Sequence, residues 1–571
     1  MVFLFPINIF NTRIFFSSIR STFSRVFISA HYRTMVEYNV AKVSDIGDGQ
    51  HKEFTVGGNI RILLARVNGQ IHATSHKCTH YGASLATGVL SSDGRITCPW
   101  HGACFNVATG DIEDAPGLDN LQKYKVTIKG DDVYVEAEED AFKISRRPPK
   151  CSADVVPLND HTVVIIGGGA SGNAAAEKLR EDGYNGKIII ISREPYLPID
   201  RPKLSKAFGT KLDKIQIRNK EFYDSLFITF KLGTSVTKVD AYSKTVTLDN
   251  GENLKYDSLI IATGALPRSI PIPGVGLNNV LYLRTFEDYE KIEQAIGKEE
   301  KKNLAIIGSS FIGMEMAAMC AKKANVSVIG MEKVPFERVL GVEVGGAIQK
   351  LHEASGVSFY LQSGVKEIKP LDTDPNRGGA VVLTDERKIP ADVIVIGAGV
   401  APATEFLKGS PGFTLEKDGS LKVDENFKVE GLDDVFAIGD IARFSYHKTG
   451  ESIRIEHWSF AENTGRAVAG IIAKKPPIPF KKIPYFWSNQ LGKGIRYAGY
   501  ASRFDDVIIQ GSLEEFKFAA YYARDDKILA VATISKDPLA SHSSELLRLG
   551  LFPSASEIRN GKNPLDVPLI A

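Results

Sequence analysis

From His161 an apolar run, Thr162-Val163-Val164-Ile165-Ile166, leads into Gly167-Gly168-Gly169-Ala170-Ser171-Gly172 and then into a helical pattern. Gly167, Gly169 and Gly172 have the GxGxxG spacing. The first glycine permits a tight turn, the second lets backbone approach a pyrophosphate, and the third lets helix and strand pack closely. The helix amino terminus then faces the phosphates. A second strand, Lys187 to Ser192, ends near Glu194, 22 residues past Gly172, where a carboxylate can accept hydrogen bonds from a ribose. Such a motif alone is a weak signal, but strand, glycine turn, helix, strand and acid in sequence predict a dinucleotide site rather than a merely tight turn.

The pattern recurs at Leu304-Ala305-Ile306-Ile307-Gly308-Ser309-Ser310-Phe311-Ile312-Gly313, with Ser310 in place of the middle glycine. Its downstream strand, Val326 to Ile329, leads to Glu332, 19 residues past Gly313. A carboxylate there accepts bonds from a ribose 2′-hydroxyl and repels a 2′-phosphate, so NAD is expected over NADP. Two nucleotide units within 571 residues leave space for one or two further domains. With 43% hydrophobic residues, 24% charged residues and a net charge of +2, the chain reads as globular and gives no electrostatic reason to expect nucleic acid. No run of 18 apolar residues reads as a membrane span.

Residues 1–35 differ from the rest. Arg13, Arg20, Arg25 and Arg33 occur there without an acidic residue, among serines and phenylalanines. That composition predicts a mitochondrial transit peptide; a disordered tail, or a start at Met35 giving a cytoplasmic form, is the alternative.

Over 36–140 short apolar runs alternate with glycine and charged turns, predicting a small all-β domain. Inside it lie Cys78-Thr79-His80 and Cys98-Pro99-Trp100-His101-Gly102. Each loop carries one cysteine and one histidine. That is the pattern of a [2Fe–2S] centre in which two thiolates hold one iron and two imidazoles the other; zinc fingers instead run Cys-Cys then His-His. Cys104 reads as a buried small hydrophobe.

The domain resembles a Rieske ferredoxin. High-potential members of that family carry an additional cysteine in each loop and a serine donating to a cluster sulfur. Here Ala83, Trp100 and Ala103 fall at those positions, which implies a potential toward the low end of the range, near about −150 mV.

Segment 141–160, with Arg146-Arg147-Pro148-Pro149-Lys150, reads as an extended, solvated linker. The first nucleotide domain then occupies 161–285, the second 286–410, and the first returns at 411–480 through Val435-Phe436-Ala437-Ile438-Gly439-Asp440. Arg454-Ile455-Glu456-His457-Trp458 opens a helix whose Ala461, Gly465, Ala467 and Ala469 permit close packing. An α+β domain at 481–571 is expected from Phe486-Trp487-Ser488-Asn489 and a hairpin across Arg524-Asp525-Asp526-Lys527.

Residues 161–571 resemble the flavin-dependent pyridine-nucleotide oxidoreductases of the apoptosis-inducing-factor and ferredoxin-reductase type. The resemblance implies FAD contacts by Glu194, Arg201, Lys206, Val236, Arg284, Asp440 and Trp487. It also implies a catalytic pair, Lys206 with Glu315, beside the flavin, and places Glu332, Glu456 and His457 on the nicotinamide side. The fold expected is therefore multidomain: an all-β Rieske domain, two Rossmann-like α/β domains for FAD and NAD, and an α+β C-terminal domain.

Disulfide reductases of this fold place a Cys-x₄-Cys pair soon after the first nucleotide unit, yet no cysteine occurs between Cys151 and Cys320. A dithiol cannot be the electron exit. Flavin converts a two-electron hydride donor into one-electron steps, so NADH is expected to reduce FAD, the [2Fe–2S] cluster and then an unidentified acceptor. The second reading is a redox-sensing effector of cell death with slow turnover. The oligomeric state stays open, a homodimer included.

Overall fold

A computed structural model describes residues 34–149, 160–298, 300–476 and 478–571. Residues 1–33 of the transit-peptide segment and half of the linker, residues 150–159, lie outside the described residues.

The N-terminal domain is built from two antiparallel sheets. Six strands pair in the spatial order Met35–Lys42, Asp132–Glu138, Lys123–Lys129, Gln70–Ser75, Ile60–Val67 and His51–Val56. Met35–Lys42 alternates between exposed and half-buried positions along most of its length, as an outer strand does, whereas Leu63, Leu64 and Ala65 are buried without alternation. The smaller sheet, Val89–Leu90, Arg95–Thr97, Cys104–Asn106 and Ile112–Asp114, carries the Cys98–His101 loop between its second and third strands. Arg146–Arg147, expected on a solvated linker, instead pairs antiparallel with Asn120–Leu121, and Arg147 also binds Asp111 at 2.6 Å. Backbone pairing and an ion pair hold this stretch to the domain.

Two five-stranded parallel sheets follow. The first runs Ile228–Lys231, Lys187–Ile191, Thr162–Ile166, Ser258–Ile261, Val435–Ala437, its last strand arriving from beyond the second nucleotide unit. The second runs Val280–Leu281, Val393–Ile396, Asn303–Ile307, Asn325–Ile329, Ser358–Tyr360. Val163 to Ile166 and Val393 to Ile396 are buried throughout, as parallel strands covered on both faces must be. The C-terminal domain is a five-stranded antiparallel sheet with the helix Leu539–Leu549 against it. Its expected hairpin closes through Asp525 and Asp526, both at positive φ, the backbone a two-residue type I′ turn requires.

The cores run across domain boundaries. Met314 and Val344 of the second nucleotide domain share a cluster with Ile495, Tyr497 and Phe518 of the C-terminal sheet. Val89 of the N-terminal domain packs with Leu546 and Leu569.

Candidate functional site

Gly167 and Gly172 of the first turn have the steric roles their spacing predicts, and Gly169 leaves open space. Gly167 sits at φ 111° with Ala262 O only 2.3 Å from where a Cβ would lie, so the turn admits no side chain. A Cβ on Gly172 would meet Gly167 O at 2.0 Å; one on Gly169 would meet nothing within 4 Å. Gly169 therefore leaves free space at the amino end of the helix Ala170–Glu181, where phosphates are favoured. Gly308 and Gly313 repeat the first and third roles against Gly397 O and Gly308 O. Ser310, at φ −98° and ψ −167°, adopts nearly the backbone of Gly169, at −78° and −165°. Both are extended, so the serine introduces no strain and the turn keeps its path.

Beside the first turn, Arg201 binds both Glu194 oxygens at 2.9 Å and also donates to Arg284 O. Arg284 reaches Asp440 at 3.5 Å, and a Cβ on Gly264 would lie 3.0 Å from the Arg284 guanidinium. Val236 opens the strand Val236–Asp240 and packs on the core of the first nucleotide domain. Arg454 ties the return segment together, donating to Asp440 O at 2.9 Å and pairing with Glu456. Two buried polar atoms nearby, Thr263 Oγ1 and His457 Nδ1, have no hydrogen-bond partner among the described residues, so a bound cofactor could supply one. Burial holds the His457 pKa down to about 4, so its ring is neutral near pH 7.

Lys206 and Glu315 meet. The ammonium pairs with Glu315 Oε2, which also accepts from Ser205, while Ser488 donates to Oε1 at 2.7 Å. The sequence pointed to neither serine. In the second unit Glu332 is half-buried, bound by Arg338 at 2.9 Å and by Ser309 at 3.3 Å. Arg338 is another residue no motif announced.

In the N-terminal domain the four expected ligands converge. Cys78 and Cys98 are buried within hydrogen-bonding reach of each other, and the Nδ1 atoms of His80 and His101 stand 3.0 Å apart. Each loop is locked from behind: Cys78 N donates to Ala83 O and Cys98 N to Ala103 O, both at 2.8 Å, and Thr79 Oγ1 donates to Asp119 O at 2.6 Å. Burial, then neighbouring cations that include Lys206, brings His101 down to about 3, and burial and His101 bring His80 to about 2. Both rings are neutral and can act as ligands. Two buried thiols behind two half-buried imidazoles fit the two-iron centre, with one iron held by sulfur and the outer one by nitrogen.

Cys104 brings a third thiol close to Asp114 and Glu545. The Arg95 guanidinium binds both carboxylates, so the group is a buried ion-pair knot, and burial pushes the Cys104 thiol upward, keeping it protonated.

The histidine face is turned onto the reductase. Trp487 lies 4.5 Å from the His101 ring and 5.4 Å from the His80 ring. Tyr81 stacks on His80 at 3.7 Å and donates to Asp200 at 2.6 Å. Ser541 donates to Cys98 O at 2.8 Å and Arg496 to Pro99 O at 3.1 Å. Gly102, at φ 73°, sits where a Cβ would lie 2.8 Å from the Tyr485 ring. Any other residue would force the loop away from the C-terminal strand.

Residues 36–125 match the Rieske [2Fe-2S] domain, 161–465 the pyridine nucleotide-disulphide oxidoreductase family, and 485–566 the reductase C-terminal domain. The chain thus belongs to the pyridine nucleotide-disulphide oxidoreductases, with a Rieske domain fused in front, and is an oxidoreductase dependent on FAD and NAD(H) that also carries a [2Fe–2S] centre. Apoptosis-inducing factor 3 of Homo sapiens is 39% identical over 522 residues, covering 90% of this chain and 84% of that protein. The match spans both parts, so the architecture is an apoptosis-inducing-factor-3-like fusion. Putidaredoxin reductase of Pseudomonas putida is 31% identical over 406 residues, 69% of this chain and 94% of its own. Among solved structures, the covalent putidaredoxin reductase–putidaredoxin complex superposes with a TM-score of 0.66 at 29% identity, over 70% of this chain and 95% of that one.

Proposed function

We propose that electrons from NADH pass through the flavin site to the Rieske centre of the same chain and leave from there to an external acceptor. The observation carrying this reading is the seat of Trp487 against both cluster histidines. FAD, when bound, supplies the conversion from a hydride pair to single electrons. Gly167, Gly169 and Gly172 bring backbone N–H groups to its pyrophosphate, and Glu194, Arg201 and Val236 hold its adenosine end. Arg284, Asp440 and Trp487 would line the same cofactor site. Lys206, fixed by Glu315, places a cation where negative charge accumulates on reduction. Gly308, Ser310 and Gly313 receive the NADH pyrophosphate and Glu332 its ribose, with Glu456 and His457 at the nicotinamide. Cys78, Cys98, His80 and His101 hold the cluster.

Anaerobic stopped-flow mixing of holoprotein with NADH tests the route. Flavin bleaching should precede cluster reduction, and the cluster phase should be independent of protein concentration because donor and acceptor share one chain. A cluster phase that accelerates with concentration refutes transfer within one chain in favour of transfer between chains, and a cluster left oxidised favours a conformational role with slow turnover. The acceptor takes electrons singly, and a ferredoxin-like protein or a small quinoid molecule both satisfy that. The arginine-bearing, acid-free segment 1–35 supports mitochondrial import, with a Met35 start leaving a cytoplasmic form. N-terminal sequencing of organelle-derived protein that finds Met1 retained would refute import with processing.

A further inference from the structure

The strand Tyr485–Gln490 serves two sites from its two faces. Successive side chains of a strand point oppositely. Tyr485 and Trp487 meet the Rieske loops at Gly102, His80 and His101. Phe486, Ser488 and Gln490 turn the other way: Phe486 lies 4.9 Å from the Phe311 ring, and Ser488 and Gln490 enter a buried polar chain. In that chain His352 Nε2 lies 3.0 Å from Gln490 Oε1, Gln490 Nε2 donates to Ser488 Oγ at 2.9 Å, and Ser488 Oγ donates to Glu315 Oε1 at 2.7 Å. Ser488, Gln490 and His352 are all buried. An amide oxygen can only accept, so His352 carries its proton on Nε2. Every donor then points toward the carboxylate, and a chain of one polarity strengthens each bond in it.

We propose that Ser488 and Gln490 are positioning residues for the Lys206–Glu315 pair, with His352 as the terminal donor. The proposal rests on the reading that this pair stands at the flavin. Ser488 fixes the Glu315 carboxylate through Oε1, leaving Oε2 to hold the Lys206 ammonium, and it draws charge away from that second oxygen. Without this donor the carboxylate, still held at Oε2 by Lys206 and Ser205, neutralises more of the Lys206 charge. The bound flavin then becomes harder to reduce. Because the residues come from the helix Glu337–Glu353 and the C-terminal strand, the chain also ties the second nucleotide domain to the strand that touches the cluster ligands.

The test compares Ser488→Ala, Ser488→Thr and Gln490→Leu with Lys206→Ala, reading the flavin midpoint potential, the rate of flavin reduction by NADH, FAD content and apoprotein melting. Ser488→Ala should move the potential negative, in the direction of Lys206→Ala but by less, and slow flavin reduction roughly tenfold, the effect of losing one hydrogen bond to a charged group. Ser488→Thr keeps the hydroxyl and should restore the potential. Gln490→Leu fills the same volume, removes the donor one step further back, and should shift the potential in the same sense by less. It keeps the proposal refutable should Ser488→Ala fail to fold. Unaltered potential and rate in Ser488→Ala and Gln490→Leu, beside a shifted Lys206→Ala, overturn the positioning role. An unshifted Lys206→Ala overturns the placement of the pair at the flavin, and the inference with it.

Discussion

On the proposed reading, selectivity between NADH and NADPH at the second unit would rest on two side chains rather than one. Glu332 alone would repel a 2′-phosphate, but Arg338 binds it at 2.9 Å and is 80% exposed, so a cation stands beside the ribose acid. Removing the acid and removing the cation should therefore have opposite effects. Glu332→Ala should weaken NADH use and narrow the gap to NADPH by about 1–3 kcal/mol, a hydrogen bond to a charged group and the lost repulsion together. Arg338→Ala should widen the gap. Steady-state kcat/KM for both nucleotides checks this, and equal values in all three proteins would remove Glu332 from the site. Glu332 could be proposed from the sequence because an acid about 20 residues past a glycine turn has a known place in the fold. Arg338, Ser488, Gln490 and His352 were not: their partners lie in other elements, and only the folded chain brings them together.

At the scale of elements, a glycine motif is informative where backbone meets backbone. A Cβ on Gly172 would stand 2.0 Å from Gly167 O, and neither atom belongs to a side chain that can rotate away. Gly172→Ala should push the helix Ala170–Glu181 off its strand, destabilise the protein by about 1–3 kcal/mol and release FAD. Ser310→Gly should retain nucleotide binding, because Ser310 already has the extended backbone of Gly169. Thermal melting and bound-flavin absorbance of the two variants separate these outcomes; an unperturbed Gly172→Ala would mean the turn can relax. The same reasoning explains the helix Trp458–Ile472. A Cβ on Gly465 would lie 2.2 Å from Ser171 O, so the small residues expected to allow close packing do so against the first turn's own helix. The Arg146–Arg147 stretch was misread for a related reason. Prolines and charge describe a solvated path well enough, but the pairing with Asn120–Leu121 and the Asp111 counter-charge are contacts distant in sequence that no local pattern reveals.

For the whole molecule the question is whether the Rieske domain swings on its tether or stays seated, and the buried charges at its base argue for a fixed seat. Arg95 reaches Asp114 of its own domain and Glu545 of the C-terminal helix; Thr97 also meets Glu545, at 3.3 Å. Asp114 is in turn bound by Lys482. Around this knot, Arg218 binds Asp119 at 2.8 Å and Asn463 accepts from Ala115 N at 2.9 Å, so contacts reach both the first nucleotide domain and the C-terminal domain. Undocking would leave these groups to find new partners in water, and breaking a buried pair by removing one member costs more than the pair itself contributes. Glu545→Ala leaves Arg95 its Asp114 partner, so the Rieske fold should survive, while the seat loosens by about 1–3 kcal/mol through the lost bonds from Arg95 and the Thr97 hydroxyl across the boundary. In single-turnover mixing with NADH, the flavin phase should keep its wild-type rate and the cluster phase should slow, because the distance between Trp487 and the two histidines is what the knot maintains. A cluster phase as fast as wild type, in a protein whose melting temperature has fallen, would mean that the ring contacts at Trp487 hold the domain without the charges below it.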